Sequence, residues 1–150
     1  NEHIRYKDDE LIEKVIASGG TMGITNVAGF LGGKGDISAF LDHIEYVAKK
    51  FGADHVTIGT DRGYRSVGTD AERAKLPKQN RLRTRWEALW PPNDKKDAAE
   101  YNQAFQAESL MWTNWPLFTV GLVQRGFSDA DIRKIIGGNI LRVAKSVFPH

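Results

Sequence analysis

Two short runs, Thr21-Met22-Gly23-Ile24-Thr25 and His55-Val56-Thr57-Ile58-Gly59-Thr60, read as buried strands, and the stretch between them reads as a helix. That order constrains the fold more than anything else in the 150 residues. Strand, crossover helix and strand with short connections form a βα unit, whose strands run parallel. Parallel strands are apolar on both sides and carry unpaired amides on any open edge. They therefore need neighbours on both edges and helices on both faces. Two strands cannot make such a sheet alone. The expectation is an α/β fold of which this chain is a part, the rest lying on the same polypeptide or on another. The chain opens on Asn1 rather than Met, which fits a processed or partial N-terminus.

The helices are set by periodicity and end signals. Residues 8–18 place Leu11, Ile12, Val15 and Ile16 on one face, with acids in the first turn and Gly19-Gly20 as a stop. The clearest helix is predicted over 37–51, with Ile37, Phe40, Leu41, Ile44, Val47, Ala48 and Phe51 at helical spacing. Asp36 is its N-cap and Gly52 its stop. Residues 26–35 hold four glycines and read as a loop. Later, Pro116 suits the first turn of a helix ending near Arg125, with Gly126 as its stop. Ser128 caps a further helix, Asp131 stands where a capping-box acid would, and Phe127 can staple onto Ile132. Gly137-Gly138-Asn139 interrupt the pattern before a final helix with Ile140, Leu141, Val143, Ala144 and Val147.

Residues 62–114 hold Pro77, Pro91 and Pro92 and many charges. They read as a lid-like insertion without regular structure, apart from a stretch of helix-forming residues around 97–111. The whole chain, 1–150, is expected to be one segment of a single domain. Hydrophobic residues at 41% and charged residues at 27% make it globular rather than disordered. A net charge of +2 gives no electrostatic reason to invoke nucleic acid or a membrane surface. With no cysteine, disulfides and thiolate metal sites are excluded. No apolar run approaches the roughly 20 residues that span a bilayer.

The sequence holds no His-x-His, His-Glu-x-x-His or Gly-x-Ser-x-Gly motif and no phosphate-binding glycine loop. His3, His43, His55 and His150 are too dispersed to make a local metal motif. Asp61 stands out by position. It directly follows the second strand, and in parallel α/β folds the active site lies at the C-terminal strand ends, where the loops converge. The plain alternative is an aspartate that caps a turn or pairs with Arg62. Arg5 is the second candidate, because a planar guanidinium can grip a carboxylate through two parallel hydrogen bonds. Taken alone, an arginine near a terminus is usually a solvated charge. The basic aromatic stretch from Lys75 to Trp90, with Arg81, Arg83, Arg85 and Trp86, admits a nucleic-acid reading. Glu72, Glu87 and Asp94 around it favour a solvated lid instead, and no nucleic-acid partner is expected.

Four stretches resemble the C-terminal portion of the membrane (renal) dipeptidase family. They are His3-Ile4-Arg5-Tyr6 with Asp9-Glu10-Leu11-Ile12; Gly19 to Ile24; His43 to Val47 followed by Gly52, Asp54-His55-Val56 and Ile58 to Asp61; and Arg125 to Ser128 followed by Asp131-Ile132 and Gly137 to Val143. The resemblance implies a zinc peptidase of the amidohydrolase superfamily on a (β/α)8, or TIM, barrel, incomplete in this chain. It implies that Asp61 is the aspartate of the last barrel strand, placed to position the substrate's amino end or to move protons to the leaving amine. It implies that Arg5 binds the dipeptide's carboxylate. In the family a metal-bridged water attacks the peptide carbonyl. The ligands of the two zinc ions, an early His-x-Asp pair, a bridging glutamate and two later histidines, would all lie upstream of Asn1. The chain departs from the family where Asp61-Arg62-Gly63-Tyr64 replaces Asp-Phe-Asp-Gly and Ile4-Arg5-Tyr6 replaces Pro-Arg-Asn, changes that bear on substrate preference.

The expected function is thus a metal-dependent dipeptidase-like hydrolase acting on a dipeptide or related small amide, active only with the N-terminal barrel half. A homo-oligomer is compatible with that reading. The alternative is a non-catalytic remnant or interaction module that keeps the fold of the barrel half. Either way, residues 1–150 alone are expected to be aggregated or molten, because the two strands would leave apolar faces and edges uncovered.

Overall fold

A computed structural model describes residues 7–61, 69–75, 100 and 103–148. Helix α1 (Asp9–Ala17) is capped by the Asp8 carboxylate, which accepts from the Leu11 N–H at 2.9 Å. Gly19, at φ 82°, turns the chain into strand β1 (Met22–Ile24). A short helix α2 (Ala28–Leu31) precedes α3 (Ile37–Phe51). Asp36 caps α3 by accepting from the N–H groups of Ser38 and Ala39, and Gly52 at φ 101° ends it. A 3-10 turn (Ala53–His55) leads into β2 (Val56–Ile58).

The two strands pair in parallel, with Met22 opposite Val56, Gly23 opposite Thr57 and Ile24 opposite Ile58. The described fold is therefore mixed helix with a small parallel sheet, as the βα pattern requires. Helix α3 packs on both strands, burying Phe40, Ile44 and Val47 in one cluster with Val56 and Ile58. Burying each of these side chains contributes roughly 1.5–3 kcal/mol.

Helix α4 (Thr69–Ala74) follows, then α5 (Ala104–Ser109), a 3-10 turn (Trp112–Asn114) and α6 (Trp115–Gln124). Helix α6 lies against α3. Phe118 meets Phe40 with ring centroids 5.0 Å apart, and a Cβ on Gly121 would stand 2.3 Å from Leu41 Cδ1. A side chain there would force the buried Leu41 to shift. Arg125, just past α6, clamps α3 by donating to Asp42, Glu45 and the Ser38 carbonyl. Burial opposes the Arg125 charge, yet the bonds to Asp42 and Glu45 outweigh it and raise its pKa.

Ser128 caps α7 (Asp129–Arg133) by accepting from the Asp131 N–H. A π turn (Lys134–Gly138) then runs into α8 (Asn139–Val147). Asn139 is buried, and its amide donates to the carbonyls of Ala53 at 2.7 Å and Val56 at 2.8 Å. Arg142 donates to the carbonyls of Gly19 and Asp54. The last helix is thus tied to the segments that lead into both strands.

Two local expectations differ from this structure. The glycine-rich 26–35 stretch contains a helical turn, because Ala28 and Leu31 gain burial in the core. Two helices, α4 and α5, occur where 62–114 read as mostly irregular; the second lies within the stretch of helix formers at 97–111. The interruption expected at Gly137-Gly138-Asn139 is present as a kink between two helices, with Gly137 at φ 173° and ψ −27°. Gly138 cannot easily carry a Cβ, which would sit 3.0 Å from the Arg133 carbonyl oxygen.

Candidate functional site

The strand ends set the site. Beyond the regular ladder, the Gly59 N–H donates to the Ile24 carbonyl at 2.9 Å, and the Asn26 N–H donates to the Thr60 carbonyl at 3.1 Å. Asp61 therefore follows directly where main-chain pairing stops. It is exposed and adopts φ 50°, the one non-glycine residue with positive φ among the described residues. Aspartate is one of the few non-glycine residues that visit this region readily.

Asp61 lines a cleft of about 560 Å³ bounded by α1, β1, α2 and α3. Ile12, Met22, Ile24, Leu31 and Val47 give it apolar walls. Lys7, just ahead of α1, lies on the same cleft. Neither Lys7 nor Asp61 has an ion-pair partner among the described residues. The wall between α1 and α3 is fastened by a polar cluster in which Tyr46 donates to Asp9 at 2.7 Å and Lys50 pairs with the same carboxylate. The Lys50 hydrogen bond first, and Tyr46 second, lower the Asp9 pKa, while Asp9 raises that of Lys50. His43 faces the cleft but is committed to structure, its Nε2 donating to the Leu31 carbonyl at 2.9 Å.

Beside the cleft the sheet carries a bare patch. Gly23 and Gly59 are both exposed, and a Cβ on Gly59 would stand 3.4 Å from Gly23 Cα. Main chain meets main chain there with no side chain between them, and glycine at such a spot marks close approach of another backbone or a ligand.

Arg5 lies outside the described residues, as do Lys78, Arg81, Arg83, Arg85, Trp86 and Trp90 of the basic stretch. Lys75 is described and pairs with Glu72 at 2.7 Å. Lys7 carried no sequence signal of its own; it emerges only because α1 folds back beside β1. Among the described residues no three His, Asp or Glu side chains converge to hold a metal ion. These residues therefore do not form a zinc site by themselves. No helix among them is long and apolar enough to cross a membrane.

No solved structure matches the chain. Residues 1–77 match the membrane dipeptidase family, peptidase family M19. This stretch takes in α1, both strands, α3 and Asp61, and it ends before the closing helices. With half of its length matched, including the whole βα unit and the strand-end aspartate, the chain belongs to the membrane dipeptidase family.

Proposed function

We propose that this chain is the C-terminal segment of one (β/α)8 barrel domain, with residues 62–114 as a lid-like insertion, and that the assembled barrel hydrolyses a dipeptide or related small amide. Family membership supports a dipeptidase-like hydrolase. The observation that carries the reading is Asp61, exposed on a cleft at the C-terminal strand end, where parallel α/β folds assemble their active sites. Its carboxylate would hold the substrate's amino group or pass a proton to the leaving amine. Arg5 would grip the carboxylate end and align the substrate. In this reading the zinc ligands belong to the preceding barrel half, on the same or another chain.

The test is made on the protein in which both barrel halves are present, on one chain or on two. Release of free amino acids from dipeptides is expected, lost on chelation and restored by zinc, whereas residues 1–150 alone should release none. A full-length protein that binds no zinc by elemental analysis and cleaves no dipeptide would leave the non-catalytic remnant as the correct reading.

A further inference from the structure

We propose that the outward face of α8 is a docking surface for the preceding barrel half, and that this helix closes the barrel at the N-terminal ends of its strands. This rests on the barrel-segment part of the reading above and is independent of hydrolysis.

Helix α8 is built inside out. Ile140, Leu141, Ala144, Val147 and Phe148 stand at i, i+1, i+4, i+7 and i+8, a spacing that lines one side of a helix. In a soluble domain such a side is turned to the core. Here Ile140, Leu141, Val147 and Phe148 are 49%, 61%, 62% and 71% exposed. The polar side meets the protein instead. Asn139 is buried with its amide on the carbonyls of Ala53 and Val56, and Arg142 donates to those of Gly19 and Asp54. Rolling the apolar side inward would break these bonds and leave the buried groups among them unpaired, which is costly.

The anchoring carbonyls indicate what covers the face. Gly19 leads into β1, and Ala53, Asp54 and Val56 lead into or open β2, so α8 lies across the N-terminal ends of both strands. Both outer edges of the β1–β2 pair are open among the described residues. Parallel strands added there run the same way and start at the level of α8, and closure of the barrel brings those starts round to its outward face. A lipid surface fits less well, because an interfacial helix needs basic residues free on its polar side. In this segment Arg142 is held by carbonyls, and Lys134 by Asp54 and Asp131. A second copy on the face would leave the sheet edges bare.

Thiol labelling tests this on the protein with both barrel halves present, since residues 1–150 hold no cysteine of their own. Val147→Cys, close to isosteric, and Leu141→Cys report the outward face. Ser146→Cys, exposed but off that face, is the reference. Modification is read site by site from peptide masses, and circular dichroism shows that each variant is folded, so one face position suffices if the other misfolds. Where each particle holds one copy of this chain, the face positions should react about 100-fold more slowly than Ser146→Cys, as side chains reached only through rare local openings do. Labelling as fast as at Ser146→Cys would overturn the proposal. So would protection found only in particles holding two copies of this chain by light scattering, or only with equimolar phosphatidylserine–phosphatidylcholine vesicles. A protected protein that hydrolyses no dipeptide keeps this inference and loses the hydrolase reading. One that hydrolyses dipeptides with the face open does the reverse.

Discussion

At Asp61 the backbone and the side chain make separate demands, and substitution can separate them. The left-handed φ of 50° suits aspartate, asparagine and glycine but penalises a β-branched residue. Asp61→Asn keeps shape and backbone preference while removing the charge. In the proposed barrel assembly it should change stability by no more than about 0.5 kcal/mol. It should lower kcat/KM by about 100-fold or more, the scale of a lost acid–base or orienting group. Asp61→Val should add a stability loss of about 1–2 kcal/mol. Urea unfolding beside dipeptide kinetics checks both variants. An Asp61→Asn enzyme with wild-type kinetics would reduce Asp61 to a turn residue. The position of Asp61 was legible because it needed only a β-branched run and the rule of strand ends. Its backbone conformation was not, since nothing in Thr60-Asp61-Arg62 dictates a positive φ.

Among the elements, α3 and the last helix show what is local and what is not. Helix α3 was readable end to end, because Asp36, the apolar spacing and Gly52 all act within the helix or one residue beyond it. Helix α2 escaped because its four residues gain their stability from Ala28 and Leu31 meeting side chains distant in sequence. Asn139 escaped for the same reason: in sequence it sits in a Gly-Gly-Asn interruption, while its partners lie 83 and 86 residues earlier. Replacing it tests that tie. Asn139→Ala leaves two carbonyls without their donor and should destabilise the full-length protein by about 2–3 kcal/mol, read from the urea midpoint. Asn139→Asp should cost more near neutral pH, since an ionised carboxylate offers no proton to either carbonyl. Wild-type stability in both variants would contradict the tie.

At the scale of the whole molecule, the ion pairs among the described residues define a pH window. Glu45 has its pKa lowered by Lys49 first and Arg125 second, and Asp9 by Lys50 and Tyr46. Lowered carboxylates contribute stability that is complete above their ordinary values of 4.5 and 3.8 and is lost as pH falls through the lower folded values. Lys50 is raised by Asp9, and Lys134 by Asp54, so their contribution is complete below the ordinary 10.5 and fades only above it. The contribution of these pairs to stability should therefore be flat between these limits, and Glu45→Gln should shrink the acid limb of the urea-midpoint profile. An acid limb unchanged by Glu45→Gln would rule out that assignment. The same scale bears on residues 1–150 expressed alone. Leu117, Val120 and Val123 are exposed along one side of α6, and Leu141, Val147 and Phe148 near the end of the described chain. Strong dye binding to apolar surface and a weak near-ultraviolet circular dichroism signal are expected of that piece. A sharp cooperative melt of its monomer would count against the barrel-segment reading.

The glycine pair beside the cleft bears on how such a surface can discriminate. Where Gly23 and Gly59 face each other, the sheet offers whatever lies against it only peptide groups and hydrogens. Such a surface is indifferent to the chemical character of its neighbour and sensitive to how thick it is. Selectivity at that spot is a matter of clearance, and a single added methyl group on either residue would reset the gauge.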